Sequence, residues 1–221
     1  MKTLSKIALC SCIAMASASA AHAQYYQAVN QVTNMLQTAL QGGFNYRGFF
    51  DVGYVNGIGD KQASFLDFST TQGVKYGNVF YMGVGIGVDV MFTDYNKGTG
   101  DWLSKDEKYT QTAVMIPMFT DFRLNFGQPE STGFFIDLKV GAAFYTGNKY
   151  IRVGDGYINT SSSFYLKPSI GVRVPVSKSN PKLAMNFGAS YQLLTNSYWY
   201  NPNHNNNITL SSLGLTVGFE W

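Results

Sequence analysis

Basic and acidic residues recur at alternate positions inside apolar, glycine-rich stretches of this chain, and they are the side chains best placed to do chemistry. Alternate residues of a β-strand share one face, so the spacing predicts that these charges point into one common environment. Charges removed from water must pair, so an ion-pair network or the lining of an ion path is expected. The predicted set contains Arg47, Asp51, Asp67, Lys75, Asp89, Asp121, Arg123, Asp137, Lys139, Lys167, Arg173 and Glu220.

Four of these charges, Asp121, Arg123, Asp137 and Lys139, fall in neighbouring predicted strands. They are expected to form one cluster, because adjacent antiparallel strands bring facing side chains together. The interpretation favoured from the sequence is a charge network that fills and rigidifies an interior. An ion path through the same residues is the alternative.

Other signals for chemistry are weak. Gly83, Gly85 and Gly87 resemble a phosphate-binding loop only superficially, because they continue a strand and open no helix. His204 stands among asparagines, where a solvated loop side chain is the expected interpretation. Histidine chemistry assisted by serine or a carboxylate is not indicated. The sequence therefore predicts no enzyme, no cofactor and no metal site.

The N-terminus has the pattern of a secretory signal peptide over residues 1–23. Two lysines precede a short apolar stretch, and residues 21–23 form an A-x-A cleavage site. Cys10 and Cys12 lie inside this segment, so cleavage leaves no cysteine for a disulfide or a metal. A lipid anchor at Cys12 is the alternative. Cleavage also leaves 14 basic and 13 acidic residues, which argues against a nucleic-acid partner.

Residues 24–42 and 43–221 are predicted to be built differently. Apolar residues between Ala28 and Leu40 recur at helical spacing, which predicts a short N-terminal helix; a disordered tail is the alternative. From Phe44 onward the period changes to two. Eight strands are predicted, at 44–56, 62–76, 80–92, 112–126, 134–146, 163–176, 183–195 and 208–221.

The connections between these strands are of two kinds. Strands two and three, four and five, and six and seven are joined by short turns, whereas most other connections are long and rich in Tyr, Asn and Gly. This layout predicts an all-β fold, an eight-stranded antiparallel up-and-down transmembrane barrel. Pro117, Pro168 and Pro175 lie inside predicted strands, where bulges or local breaks are expected.

Periodicity does not say whether the apolar face meets lipid or a soluble core. A lipocalin-like barrel points its apolar side chains inward, whereas a membrane barrel points them outward. Eight strands enclose too little space for the large apolar side chains of every strand, so the apolar face is predicted to meet lipid. Aromatic residues at the strand ends fit membrane girdles. One rim would carry Phe44, Tyr76, Phe80, Phe126, Phe134 and Trp221, and the other Tyr54, Phe92, Tyr95, Tyr109 and Trp199.

Several stretches resemble the small outer-membrane β-barrel domains of Gram-negative bacteria. They are residues 47–54, 82–87, 116–123, 134–139 and 217–221. The resemblance implies an outer-membrane location, reached by export, and no common ligand or reaction. It also implies an assembly signal read by the barrel-assembly machinery, made of a C-terminal aromatic and alternating apolar residues. In this chain that signal falls on Leu215, Val217, Phe219 and Trp221.

The predicted function is that of an integral outer-membrane protein with a structural or surface-interaction role. Membrane lipid and the barrel-assembly machinery are its expected partners. A narrow channel or carrier for small or hydrophobic solutes is the alternative, and a membrane enzyme comes third. Three long loops, 93–111, 147–162 and 196–207, could bind an extracellular ligand or serve only as solvated surface.

Overall fold

The computed structural model describes residues 43–59, 62–96, 108–147, 150–153, 156–159, 162–177, 180–201 and 204–221. The predicted signal peptide, residues 1–23, and the predicted helix, residues 24–42, lie outside these described residues. The described part of the chain contains no helix with the length and apolar character needed to span a membrane.

Ten β-strands make up the described part of the chain, and eight of them form a closed barrel. The strands are β1 (Phe44–Ile58), β2 (Ala63–Tyr76), β3 (Phe80–Asn96), β4 (Lys108–Phe126), β5 (Gly133–Thr146), β6 (Tyr150–Val153), β7 (Gly156–Asn159), β8 (Ser163–Pro175), β9 (Ala184–Asn201) and β10 (His204–Glu220). Barrel strands pair in the order β10, β1, β2, β3, β4, β5, β8 and β9, and β9 pairs with β10 to close the sheet. All these pairings are antiparallel, so the predicted eight-stranded up-and-down barrel is confirmed.

Along each barrel strand, successive side chains alternate between the interior of the barrel and its outer wall. On β3, Val84 and Ile86 are exposed on the outer wall, whereas Tyr81, Asp89 and Met91 are buried inside. The reason is geometric, because successive side chains of a strand point to opposite faces of the sheet. The interior, called the lumen here, therefore receives the charges, and the outer wall carries the large apolar side chains.

Short connections gather at one end of the barrel, called the turn end here. They join β2 to β3, β4 to β5 and β8 to β9, as predicted. Gly77 and Gly127 begin two of these turns with φ angles of 57° and 121°. Glycine adopts these backbone conformations without the clash that a Cβ atom would cause. The opposite end, called the loop end, carries the remaining connections.

At the loop end, several strands run beyond their predicted limits. β3 continues to Asn96, β4 begins at Lys108, β9 continues to Asn201 and β10 begins at His204. The predicted loops 93–111 and 196–207 are therefore partly strand, and the predicted boundaries were wrong there. These extensions are polar at most positions in the sequence. The alternating apolar pattern therefore ends before the backbone pairing does.

The predicted loop 147–162 contains a short hairpin formed by β6 and β7. β7 also pairs with β9, where Tyr157 and Ile158 lie opposite Trp199 and Tyr198. Strands of four residues are too short to give a recognisable period in the sequence. The hairpin is therefore an element that the sequence pattern did not predict.

Two prolines interrupt the backbone ladder without changing its register. Pairing between β3 and β4 is missing next to Pro117, and pairing between β8 and β9 is missing next to Pro168. Proline has no N–H to donate to a neighbouring strand. The predicted local breaks are confirmed at these two positions, whereas Pro175 is the last residue of β8.

Candidate functional site

All twelve charged residues predicted for the lumen are buried inside the barrel, and none has more than 7% of its surface exposed. Seven of the eight barrel strands contribute these charges. The remaining strand, β9, contributes the buried polar residues Asn186, Ser190 and Gln192. The lumen is thus lined by polar groups that water does not reach freely, and their partners decide what the site can do.

The layer nearest the turn end is organised around Glu220 and is called the turn-end layer here. The Nε atom of Arg173 donates to Glu220 Oε2 at 2.6 Å. Arg47 Nε and Lys75 Nζ lie 3.4 Å and 3.9 Å from Glu220 Oε1. This layer therefore brings three cations, Arg47, Lys75 and Arg173, to one carboxylate.

Arg173 also joins the turn-end layer to two turns. Its Nη1 donates to the carbonyl oxygen of Pro129 at 2.9 Å, and its Nη2 donates to that of Pro181 at 2.6 Å. Pro129 lies between β4 and β5, and Pro181 lies between β8 and β9. One planar guanidinium therefore holds both turns and Glu220, which requires the fixed fork of donors that arginine has.

The middle of the lumen is built around Arg123 and Lys139. Lys139 Nζ donates to Asp51 Oδ2 at 2.6 Å, and Arg123 Nε donates to Asp137 Oδ1 at 3.4 Å. The Arg123 guanidinium also lies over two rings, 4.1 Å from the centroid of Phe49 and 4.6 Å from that of Phe135. Carboxylates and ring faces together replace the water that these buried cations lose.

The predicted cluster of Asp121, Arg123, Asp137 and Lys139 is brought together on β4 and β5, but its pairing is mixed. Asp121 and Lys139 lie opposite each other in the ladder, as do Arg123 and Asp137. Lys139 nevertheless reaches across the lumen to Asp51 on β1. Both carboxylate oxygens of Asp121 accept no hydrogen bond from a donor in the described residues. Strand register places these residues side by side without deciding which charge each one contacts.

A further polar group lies on the loop-end side of this cluster. Lys167 Nζ donates to Asp67 Oδ1 at 2.5 Å. Gln192 Nε2 donates to Asp89 Oδ2 at 3.3 Å. Asp67 and Asp89 face each other on β2 and β3, so Lys167 offsets one of two neighbouring carboxylates.

Large side chains share the lumen with these charges, and the sequence interpretation underestimated their number. Phe49, Phe65, Phe119 and Phe135 are buried inside, although the lumen was expected to hold mainly small and charged residues. The sequence does carry a signal for all four, because each stands two residues before a lumen aspartate, Asp51, Asp67, Asp121 or Asp137, and therefore has the same phase. A residue at an alternate position from a lumen charge on the same strand therefore faces the lumen, whether its side chain is polar or apolar.

The glycines of β3 make room for these rings. A Cβ atom placed on Gly85 would lie 2.7 Å from Cζ of Phe119, well inside the normal contact distance. Phe119 in turn stacks on Tyr165 with 5.8 Å between the ring centroids. The motif of Gly83, Gly85 and Gly87 lies within a continuous strand, so the structure supports a packing role for it.

The loop end of the lumen is closed by apolar side chains, called the apolar layer here. Its members are Val55, Ala63, Phe65, Met91, Met115, Phe119, Ala143, Ile151, Val153, Ile158, Tyr165, Leu194 and Leu210. Three of them belong to the hairpin of β6 and β7, so the hairpin packs into the mouth of the barrel. Arg152 N on β6 also donates to Gln111 Oε1 at 3.0 Å. The hairpin is therefore held from β4 as well as from β9.

Little free space remains between the described lumen side chains. A cavity beside Asp51, Arg123 and Asp137 has a volume of about 10 Å³. A second cavity, beside Lys75, Asn125 and Arg173 at the turn end, also has a volume of about 10 Å³. Each space is close to the minimum that holds one water molecule. Each of these two cavities thus has room for about one group the size of a water molecule.

In the part of the chain that the structure describes, no group of three or more His, Cys, Asp or Glu side chains is placed to hold a metal. His204 begins β10 at the loop end, away from the buried charges of the turn end.

The residues predicted as an assembly signal lie on the outer wall at the closing seam of the barrel. Leu215, Val217 and Phe219 are exposed on β10. Trp221 follows β10 and exchanges two backbone hydrogen bonds of 3.0 Å with Gly48 of β1. The described aromatics of the turn-end rim also contact one another, since the rings of Phe44 and Tyr76 lie 4.6 Å apart.

Comparisons with known proteins show solved structures of similar fold but no match at the level of sequence. No protein-family model matches the sequence, and no curated protein matches it. Among solved structures, Neisserial surface protein A (NspA) is similar with 12% identity and a TM-score of 0.50, over 80% of this chain and 97% of that one.

Two further solved structures come from Pseudomonas aeruginosa. The outer membrane protein OprG has 10% identity and a TM-score of 0.49, over 82% of this chain and 99% of that one. The N-terminal β-barrel domain of OprF has 13% identity and a TM-score of 0.39, over 80% of this chain and 98% of that one.

The chain therefore has the fold of a small eight-stranded barrel of the kind found in NspA. The predicted resemblance to small outer-membrane barrels is confirmed at the level of the fold.

Proposed function

We propose that this protein is an integral outer-membrane β-barrel with a structural or surface-interaction role and no enzymatic activity. The observation that carries the proposal is the inverted distribution of side chains. Large apolar residues are exposed around the whole outer wall, whereas twelve charged residues are buried in the lumen. A barrel that worked in water would have the opposite arrangement.

The apolar belt is continuous around the barrel. Every barrel strand contributes at least one exposed large apolar side chain: Phe50, Phe68, Val84, Met118, Ile136, Ile170, Phe187 and Leu215. Soluble monomers rarely expose apolar patches of more than a few hundred Å². Lipid acyl chains are the environment in which such a belt is stable, so membrane lipid is the partner this surface supports.

Aromatic side chains at the turn-end rim support the same placement. Phe44 and Phe134 are exposed there, and Phe219 stacks near Trp221 with ring centroids 6.2 Å apart. Aromatic rings are favoured where the apolar core of a bilayer meets the headgroups. Short turns face the periplasm in barrels of this type, so we propose that the turn end is the periplasmic end.

The filled lumen favours a scaffold over the alternative of a channel or carrier. Ion pairs such as Lys139 with Asp51 cross the lumen, and the apolar layer closes its loop end. A solute would have to displace both. We propose that the twelve lumen charges act mainly to fill the barrel and to rigidify it through the ion pairs that cross the lumen.

The remaining parts of the proposal concern export, assembly and ligands. Residues 1–23 would direct export, and Leu215, Val217, Phe219 and Trp221 would be read by the barrel-assembly machinery. An extracellular ligand would meet the loop end, where the segments 93–111, 147–162 and 196–207 lie. The hairpin of β6 and β7 is anchored at that end, because three of its side chains are buried.

The placement is tested by cell fractionation and gel mobility. The protein is expected in the detergent-soluble outer-membrane fraction, and heating should change its mobility on a denaturing gel. Ready solubility without detergent, together with unchanged mobility, would rule out the membrane placement. Planar bilayers separate scaffold from channel: no reproducible conductance steps are expected, and regular single-channel steps would favour the channel.

A further inference from the structure

The lumen contains equal numbers of basic and acidic side chains, but the two kinds are unevenly distributed along the barrel axis. Among the described side chains, the turn-end layer contains Arg47, Lys75 and Arg173 but only one carboxylate, Glu220. The other lumen charges are three cations and five carboxylates. The turn end of the lumen therefore carries two positive charges in excess. Excess buried charge is costly unless an ion of opposite sign or hydrogen bonds compensate it.

The partners of these three cations show which of them lack compensation. Each guanidinium nitrogen of Arg173 has an acceptor, since Nε, Nη1 and Nη2 donate to Glu220, Pro129 and Pro181. Arg47 and Lys75 share Glu220 Oε1, at 3.4 Å and 3.9 Å, and neither contact is a hydrogen bond. Within the described residues, Nε and Nη1 of Arg47 have no hydrogen-bond acceptor. Neither Arg47 nor Lys75 is thus hydrogen-bonded to the carboxylate of this layer.

Asn125 is a second, independent sign that the turn-end layer accepts a ligand. It lies on β4, is 5% exposed, and neither atom of its amide has a hydrogen-bond partner among the described residues. The amide lines the turn-end cavity together with Lys75, Arg173 and Gln128. A buried side-chain amide without partners is rare in proteins and calls for a water or an ion.

We propose that this cavity binds one small inorganic anion of about the size of chloride, held by the ammonium of Lys75 and the amide of Asn125. The volume of about 10 Å³ admits a group the size of a water molecule and is too small for phosphate or sulfate. An anion there reduces the excess charge of the turn-end layer and accepts a hydrogen bond from the Nδ2 atom of Asn125. The site lies at the proposed periplasmic mouth, so small anions reach it from solution.

Bromide locates the anion directly. Crystals of the folded full-length barrel, grown in detergent with bromide replacing chloride, are expected to show an anomalous scattering peak within hydrogen-bond distance of Lys75 Nζ. Bromide peaks confined to the outer surface, or ordered water in the cavity without an anomalous signal, would overturn the proposal.

Urea unfolding in lipid vesicles tests the contribution of the anion to stability. Midpoints are compared in chloride and in gluconate at equal ionic strength, for the wild-type chain, Lys75→Gln and the control Lys182→Gln. Lys182 is exposed on the turn between β8 and β9, so its substitution removes a charge from the same rim without touching the cavity. General salt effects act on all three proteins and cancel.

The chloride-dependent shift is expected in the wild-type chain and in Lys182→Gln, and it should be lost in Lys75→Gln. An equal shift in all three proteins, or no shift in the wild-type chain, would refute the site. If Lys75→Gln does not fold, the bromide experiment on the wild-type chain decides alone.

Discussion

The ammonium of Lys139 on β5 lies 2.6 Å from a carboxylate oxygen of Asp51 on β1, on another part of the barrel wall. β1 and β5 are not neighbours in the sheet. The contact therefore spans the lumen and ties together parts of the wall that the backbone ladder leaves apart.

Removing one partner of this pair should destabilise the barrel strongly. We expect Lys139→Met to lower the free energy of unfolding by about 3–5 kcal/mol, because Asp51 is left buried without its closest cation. Combining it with Asp51→Asn should cost less than the sum of the two single changes. Urea unfolding in lipid vesicles measures this, with the exposed substitution Lys182→Met as the control. Additive effects would show that the two residues are not coupled.

Replacing Arg173 by lysine should loosen two turns at once. Lysine keeps the charge but loses the planar fork, so the hydrogen bonds to Pro129 and Pro181 cannot both form. The expected loss of stability is about 2–4 kcal/mol, since hydrogen bonds from charged donors contribute most. Amide exchange should accelerate in these two turns and stay unchanged in the turn at Gly77. Equal acceleration in all three turns would point to general destabilisation instead.

A charge on the outer wall should prevent stable insertion. Val84 is 66% exposed on that wall, and we expect Val84→Arg to cost about 2–4 kcal/mol near the bilayer midplane. Gln62→Arg, at an exposed position on the loop end, is the matched control and should be tolerated. Folding yield in lipid vesicles gives the measurement. If Val84→Arg folded as well as the control, the outer wall would not be in contact with lipid.

Access to the apolar layer should depend on the hairpin of β6 and β7. Leu194→Cys places a thiol at a fully buried lumen position, and a water-soluble maleimide should label it slowly in the folded barrel. Replacing residues 150–159 by a glycine-serine linker should speed this labelling, because the hairpin packs over the mouth. Thr110→Cys, an exposed position on β4, should label rapidly in both backgrounds. Rapid labelling of Leu194→Cys with the hairpin intact would show that the mouth is open.

Deleting Trp221 should impair assembly in cells more than stability in the test tube. The deletion removes the two backbone hydrogen bonds that Trp221 exchanges with Gly48 of β1, together with the aromatic of the proposed assembly signal. Folded protein in the outer membrane is expected to fall, whereas Trp221→Phe should remain near the wild-type level. Quantitative blotting of unheated outer-membrane samples measures both. Normal levels after the deletion would refute the signal.

The barrel could be predicted from the sequence because its information is local and repetitive. The alternation of apolar and small or charged residues in segments such as β3, from Val84 to Val88, predicts which face each residue occupies. The spacing of the turns predicts the strand order. The extensions of β9 and β10 escaped prediction because they are polar on most positions, so pairing there leaves no period.

The contact partners of the lumen side chains were harder to predict than the face of the sheet on which each residue lies. The sequence predicted one cluster of Asp121, Arg123, Asp137 and Lys139. The register places Lys139 opposite Asp121, yet the flexible lysine side chain contacts Asp51 on another strand. Such contacts depend on the diameter of the closed barrel and on the rings that fill it. Phe49 and Phe135, which flank Arg123, share the phase of the charges, but their size misled an interpretation based on polarity.

The lumen contacts also constrain the order in which the molecule folds. Lys139 with Asp51, Lys167 with Asp67, and Gln192 with Asp89 join residues 88, 100 and 103 positions apart. Glu220, which binds three cations of the turn-end layer, lies on the last strand. Contacts between distant residues form late because loop-closure entropy must be overcome first. The charges of the interior are therefore neutralised only when the barrel closes. Until β10 pairs with β1, the cations of the turn end lack Glu220, the carboxylate that they share.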